Sequence, residues 1–155
     1  RSVTGKRTAA GPRRAHIWDK PFVCLCIDLV GELPVTARGN KWVLTIQCPM
    51  TRYVRFVALP DKEAATVVKA LHTMWIAEHG APRYIVSDNG SEFDNETLDA
   101  LEEQLQVTHI WSSAFSPQTN LAERVHQQLN RDMRIFVNKL GKAWDTALQA
   151  AAAIW

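Results

Sequence analysis

The segment PFVCLCIDLV, residues 21 to 30, constrains the fold more than any other part of the sequence. In an extended chain successive side chains point to opposite faces, and here both faces are apolar. A strand that is apolar on both faces belongs in the middle of a sheet that is covered on both sides. We therefore predict a central strand in an α/β protein, with Asp28 as a charged residue inside it.

The segments that follow alternate between strand and helix patterns. Residues 41 to 48 and 53 to 59 are strand-like and come after short polar turns, which predicts an antiparallel meander of three strands. Residues 61 to 80 place apolar side chains at helical spacing and end at a glycine. Two short strands, residues 83 to 87 and 107 to 111, alternate with further helical patterns. The predicted order is β-β-β-α-β-α-β-α-α.

The stretch IVSDNGSEF, residues 85 to 93, allows two interpretations of Asp88. Asn-Gly after a strand is typical of a two-residue hairpin, which requires a returning strand. The apolar positions that follow instead recur every four residues, which is a helical pattern: Phe93, Thr97, Leu101 and Leu105. We interpret Asp88 as the carboxyl end of a strand that leads into a helix, with Asn89 and Gly90 as the tight connection.

Length and charge limit the class of protein. A chain of 155 residues with 46% hydrophobic residues suits one domain, and the net charge of +2 is too small to indicate a nucleic-acid partner. Residues 1 to 17 are basic and predict a linker or arm before a core over residues 18 to 155. No signal peptide or membrane-spanning run is present. Because the chain starts without Met and stops within a helical pattern, we expect it to be a truncated piece of a longer protein.

The three cysteines are expected to be structural. Cys24, Cys26 and Cys48 lie in apolar strand-like runs, and an odd number of such residues indicates reduced, buried thiols. Cys24-x-Cys26 resembles half of a metal site, but no His or Cys pair follows at the spacing of a zinc finger.

Three carboxylates stand out, although each has an ordinary explanation when taken alone. Asp28 in a buried strand costs several kcal/mol unless an Arg, a backbone group or a metal compensates its charge. Asp88 is consistent with a turn or a helix cap. In NLAE, Asn120 and Glu123 have the spacing of a helix N-cap and the third residue of a capping box.

Together the three carboxylates indicate a metal site. If the strands of Asp28 and Asp88 are parallel neighbours about 4.8 Å apart, both side chains reach the crevice at the carboxyl ends of the strands. Glu123, at the start of a helix, can approach them from above. Hard oxygen donors without imidazole or thiolate favour Mg²⁺ or Mn²⁺. Two such ions support in-line phosphoryl transfer.

Three ordered motifs carry a family resemblance. CIDLVGELPVTARGNKWVLTIQC, IVSDNGSEF and SPQTNLAERVHQQLN together resemble the catalytic core of retroviral and LTR-retrotransposon integrases, most closely the gypsy-like group. The resemblance runs from about residue 20 to the end. It implies a ribonuclease H-like α/β fold, with a mixed five-stranded sheet of three antiparallel strands and two parallel ones, flanked by helices.

The resemblance also implies a function. The family's metal-binding triad falls on Asp28, Asp88 and Glu123, which would hold two Mg²⁺ or Mn²⁺ ions. The implied reaction is an endonucleolytic trimming of the 3′ ends of element DNA, followed by their transfer to target DNA. The implied partners are nucleic acid and a second copy of the chain, as a homodimer or larger oligomer, without a membrane. The implied location is the nucleus, where integration takes place.

This sequence departs from the family pattern at several positions. Between Asp88 and Glu123 lie 34 residues instead of the usual 35, and Cys48 replaces a common Asp. Lysines of retroviral relatives are replaced on the long helix, so we expect phosphate and DNA-end contacts from another set: Gln118, Asn120, Arg124, Gln127, Asn130, Arg131 and Arg134. For Gln118 and Asn120, loop solvation and helix capping stay open as alternatives.

Two other functions are compatible with the sequence. One is a domesticated or decayed integrase-like domain that binds DNA or protein without catalysis. The other is a different ribonuclease H-like nuclease or transposase, which the SPQTN and Glu123-Arg124 motif disfavours. The aromatic residues Trp144 and Trp155 are expected in the core, although either can serve an oligomer interface.

Overall fold

The computed structural model describes residues 20–88, 92–112 and 118–148, and in residues 118–123, 125 and 126 it describes the backbone alone. The strands of the described part form one five-stranded sheet: β1 Cys24–Val30, β2 Trp42–Gln47, β3 Val54–Leu59, β4 Tyr84–Ser87 and β5 Thr108–Trp111. Their order is β3-β2-β1-β4-β5. The pairs β1·β2 and β2·β3 are antiparallel, whereas β1·β4 and β4·β5 are parallel. The predicted mixed sheet is confirmed.

The helices follow the predicted order along the chain. They comprise α1 Ala64–Leu71, a π-helical turn His72–Ile76, α2 Ala77–His79, α3 Asn95–Leu105, α4 Gln118–Leu140 and a 3₁₀ helix Gly141–Ala147. Helix α3 begins where it does because the Asp94 carboxylate accepts a hydrogen bond from the Thr97 N–H at 2.8 Å. Helix α4 ends at Leu140, and the next residue, Gly141, has a φ of 59° in the left-handed region that glycine favours.

The central position of β1 is confirmed, since it lies between β2 and β4 and six of its seven residues are buried. Leu25, Ile27 and Leu29 face a core formed with α1, the π-helical turn and α3. The opposite face of the sheet carries Val30, which packs in a second core with α4 and the 3₁₀ helix. Asp28 points to this second face, because strand side chains alternate.

The predicted state of the cysteines is also confirmed within the described residues. Cys24, Cys26 and Cys48 are free and buried. Burial, together with the two neighbouring thiols, raises the pKa of Cys24 above its ordinary value, so the thiol stays protonated.

The beginning of α4 differs from the sequence prediction. The helix starts at Gln118, so Asn120 is its third residue and not its N-cap. The capping-box interpretation is therefore wrong, and Gln118 and Asn120 lie in the first helical turn instead of a loop.

Three smaller differences concern the ends of helices. Phe93 is buried but precedes α3, and residues 88 to 94 separate β4 from this helix. Helical spacing predicted Leu140 on the apolar face of α4, but Leu140 is 38% exposed and Val137 is buried. The predicted helix after α4 is a 3₁₀ helix over Gly141–Ala147. The predictions for residues 1 to 17, for Asn89 and Gly90, and for Trp155 lie outside the described residues, while Trp144 is confirmed as core.

Candidate active site

The register of two parallel strands places Asp28 and Asp88 side by side. In the β1·β4 ladder Cys24 pairs with Tyr84 and Cys26 with Val86, an offset of 60 (86 − 26 = 60). The two aspartates have the same offset (88 − 28 = 60), so they lie at one level of neighbouring strands. Adjacent strands are about 4.8 Å apart, and a period of two puts both side chains on one face. The predicted parallel neighbourhood of the two strands is confirmed.

The Asp28 carboxylate has a defined set of hydrogen-bond donors. Its Oδ1 accepts the backbone N–H of Leu29 at 2.9 Å, and its Oδ2 accepts the side-chain amide of Asn130 at 2.5 Å. Thr45, its partner on β2, donates its hydroxyl to the Asp28 carbonyl oxygen at 3.3 Å. Of the partners that the sequence left open for Asp28, the backbone group is present, and an asparagine amide is hydrogen-bonded to it where a buried Arg was the alternative.

Burial and a neighbouring negative charge both act on this carboxylate. Burial, and then the charge of Asp88, raise the pKa of Asp28 to about 6, against the lowering effects of Leu29, Asn130 and Arg134. The two carboxylates thus repel each other in a partly desolvated position. A divalent cation between such groups removes the repulsion, and oxygen donors suit Mg²⁺ or Mn²⁺. The residues present fit such an ion.

Helix α4 reaches the Asp28 carboxylate because its apolar face packs onto the sheet. Leu129, Met133 and Val137 are buried against Val30 and Phe56. This packing brings Asn130 of the helix to Asp28 of β1, 102 residues earlier in the chain.

Glu123 lies on the same helix, seven residues before Asn130 (130 − 123 = 7). Seven residues make about two helical turns, so the two residues share a face and are about 10 Å apart along the axis. The side chain of Glu123 is outside the described part of α4. Among the side chains that are described, no group of three His, Cys, Asp or Glu residues is placed to hold a metal ion.

The predicted DNA-contacting residues divide into three groups. The side chains of Gln118 and Asn120 lie outside the described ones. Asn130 is half-buried and contacts Asp28. The remaining four are exposed along α4: Arg124, Gln127, Arg131 and Arg134.

A contact that the sequence did not reveal supports the strand of Asp88. Ser87, which immediately precedes Asp88, is buried, and its hydroxyl is hydrogen-bonded to Nε2 of His109 at 2.6 Å. The backbone N–H of His109 donates to the Glu102 carboxylate at 3.1 Å. Burial lowers the pKa of His109, which favours the neutral imidazole. Only the register of β4 against β5 brings Ser87 and His109 together, so the sequence carries no local signal for the pair.

Comparisons with known proteins find a matching family model and several related sequences. Residues 19–117 match the family model described as integrase core domain. Over 135 residues the chain is 30% identical to the retrovirus-related Pol polyprotein from transposon 412 of Drosophila melanogaster, which covers 86% of this chain and 11% of that protein. Over 142 residues it is 25% identical to the Gag-Pol polyprotein of Koala retrovirus, covering 90% of this chain and 8% of that protein.

A shorter match has higher identity. Over 72 residues the chain is 36% identical to the Pol polyprotein of Ovine maedi visna related virus (strain South Africa), covering 46% of this chain and 6% of that protein. The chain therefore spans about a tenth or less of the length of these relatives. Within its described residues, none of the helices has the length and apolar character needed to cross a bilayer.

Proposed function

This chain belongs to the family of integrase core domains, and from that premise we propose that it performs metal-dependent phosphoryl transfer on DNA. The proposed reaction trims the 3′ ends of an element's DNA and joins them to target DNA. The observation that carries the proposal is the placement of Asp28 and Asp88 at one level of two parallel strands, with their charges in repulsion. Relatives named as Pol polyproteins of a transposon and of retroviruses support the choice of DNA as substrate.

Three carboxylates would hold the ions in this proposal: Asp28, Asp88 and Glu123. Two Mg²⁺ or Mn²⁺ ions supply activation of the attacking oxygen and stabilisation of the leaving oxygen. The protein's part is to keep the carboxylates ionised and oriented. The donors on both oxygens of Asp28 do this against the repulsion from Asp88.

We propose that α4 holds the DNA. Arg124, Arg131 and Arg134 are exposed on this helix and provide charge for phosphate contacts. Gln127, Gln118 and Asn120 are proposed contacts of the DNA end, the last two on the sequence alone. A homodimer or larger assembly and a nuclear location belong to the same proposal.

The test is a disintegration assay on a branched DNA substrate. This assay measures strand transfer and does not require end trimming. We expect Mg²⁺-dependent activity in the wild type and a loss of more than about 100-fold in Asp88→Asn, because a carboxylate ligand is removed. Asp99→Asn is the matched control, since Asp99 is an exposed aspartate of α3. If the wild type is as inactive as Asp88→Asn while binding DNA normally, the chain is a DNA-binding domain without catalysis and the proposal fails.

A further inference from the structure

Asn130 connects the long helix to the strand of the first carboxylate. Its Nδ2 donates to Oδ2 of Asp28 at 2.5 Å, across a separation of 102 residues. Its Oδ1 is buried and has no hydrogen-bond partner among the residues that the structure describes. Asn130 is half-buried. Gln127, one turn earlier on the helix, and Arg131, the next residue, are exposed.

The orientation of this amide follows from the charge on Asp28. An ionised carboxylate accepts hydrogen bonds and cannot donate them, so the NH₂ group must face it. Turning the amide over would bring the carbonyl oxygen of Asn130 against the carboxylate oxygen, where two acceptors repel each other. A buried carbonyl oxygen without a donor is unfavourable by about 1 to 3 kcal/mol, and the contact with Asp28 offsets it.

Of the polar atoms of Asn130, Oδ1 is therefore buried away from solvent and Nδ2 is engaged with Asp28. We propose that Asn130 is a positioning residue for the Asp28 carboxylate and does not contact DNA. This inference rests on the proposed function, and it replaces the DNA contact expected for Asn130 from the sequence.

Two consequences for the site follow from the contact. With Leu29 on one oxygen and Asn130 on the other, the carboxylate is fixed in one orientation. Each oxygen retains a second lone pair, so both stay able to bind a cation.

Partners that orient a metal ligand change metal affinity or activity by about 10- to 100-fold when they are removed. For Asn130→Ala we expect the Mg²⁺ concentration at half-maximal disintegration activity to rise about tenfold or more. The dissociation constant for DNA, measured in EDTA, should stay within about twofold of the wild type. A contact to a phosphate would produce the opposite result, with weaker DNA binding and an unchanged Mg²⁺ requirement.

Asn138→Ala is the matched control, because Asn138 is an exposed asparagine on the same helix. It should change neither the Mg²⁺ requirement nor DNA binding. A readout without turnover is thermal unfolding in the absence of DNA, with and without Mn²⁺. The rise in Tm that Mn²⁺ causes in the wild type should be smaller in Asn130→Ala and unchanged in Asn138→Ala.

The possible results distinguish the proposed function from the positioning role of Asn130. A wild type without disintegration activity contradicts the proposed function. An active wild type with Asn130→Ala indistinguishable from Asn138→Ala overturns the positioning role alone, as does a rise in the DNA dissociation constant without a change in Mg²⁺ requirement. If the alanine variant does not fold, Asn130→Gln, which keeps the amide donor at a displaced position, takes its place in the same measurements.

Discussion

The imidazole of His109 and the hydroxyl of Ser87 are 2.6 Å apart, and their hydrogen bond joins β5 to the residue before Asp88. Ser87 is 2% exposed, so its hydroxyl depends on this partner in place of water. The bond lies on the face of the sheet opposite the two aspartates, because successive side chains of a strand alternate. The hydrogen bond therefore supports the end of β4 on the face of the sheet opposite the two aspartates.

Removing the imidazole should destabilise the fold. His109→Ala leaves the buried hydroxyl of Ser87 without a partner, and we expect the free energy of unfolding to fall by about 1 to 3 kcal/mol. Urea denaturation followed by circular dichroism measures the change. His72→Ala is the control, because His72 is exposed on the π-helical turn and should cost less than about 0.5 kcal/mol. Equal losses in the two variants would contradict a role for the Ser87 contact.

The same imidazole predicts a pH dependence of stability. Burial lowers the pKa of His109 below 6.5, the ordinary value of histidine. The charge of Glu102 opposes this shift without reversing it. Between the folded and unfolded pKa values the unfolded chain binds more protons, so stability rises with pH. The contribution of the neutral His109 imidazole to stability is complete above about pH 6.5, and it is lost as the pH falls towards the lowered pKa of the folded state. We expect the wild type to lose stability relative to His109→Gln over this range, as measured by urea denaturation at each pH. A difference that is constant across it would contradict the prediction.

Asp28 should give a dependence of the opposite sign in EDTA. Its pKa is raised from 3.8 to about 6, so the folded state binds more protons between these values, and stability falls as the pH rises through them. Above pH 6 the penalty on the ionised form is complete and amounts to at most about 3 kcal/mol. Asp28→Asn removes it, so we expect a higher Tm at pH 7.5 together with loss of disintegration activity. Asp99→Asn should show neither effect, and an Asp28→Asn variant less stable than the wild type would refute the assignment.

Gly31 should not accept a side chain. A Cβ at this position would lie 2.4 Å from Cε3 of Trp42, which is buried in the first core. Overpacking of this kind costs about 1 to 3 kcal/mol, so Gly31→Ala should lower the Tm clearly. Glu32→Ala tests the neighbouring position, where the side chain is exposed and its ion pair with Lys41 contributes little. Similar Tm values for Gly31→Ala and the wild type would show that Trp42 moves aside at little cost.

Local patterns predicted the central strand and the position of Asp88 at a strand end, whereas the mixed five-stranded sheet was implied by the family resemblance. The two-sided apolar character of β1 predicted its central place, and the helical period after Gly90 excluded a hairpin and placed Asp88 at a strand end. Both inferences depend only on periodicity, which the chain carries in each segment by itself.

Contacts between distant segments could not be predicted in the same way. The amide of Asn130 reaches Asp28 only because α4 packs on the sheet through Leu129 and Met133. On the sequence alone, Asn130 was one more polar residue on a helical flank. The start of α4 was misassigned for a different reason, since Asn120 and Glu123 have the spacing of a capping box that the helix does not use.

Asp28 and Asp88 lie at one level because of the register between their strands. The number of residues between them along the chain does not affect this position. The turn from Cys48 to Tyr53 is closed by the Cys48–Arg52 and Cys48–Tyr53 backbone hydrogen bonds. It lies at the end of the sheet away from the two aspartates. Extra residues inserted there would lengthen the spacing between the two aspartates and leave their separation in space unchanged. That turn is accordingly a place to graft a tag or a fluorophore, and counting residues from the first carboxylate to the second is a poor guide to whether two chains share a site.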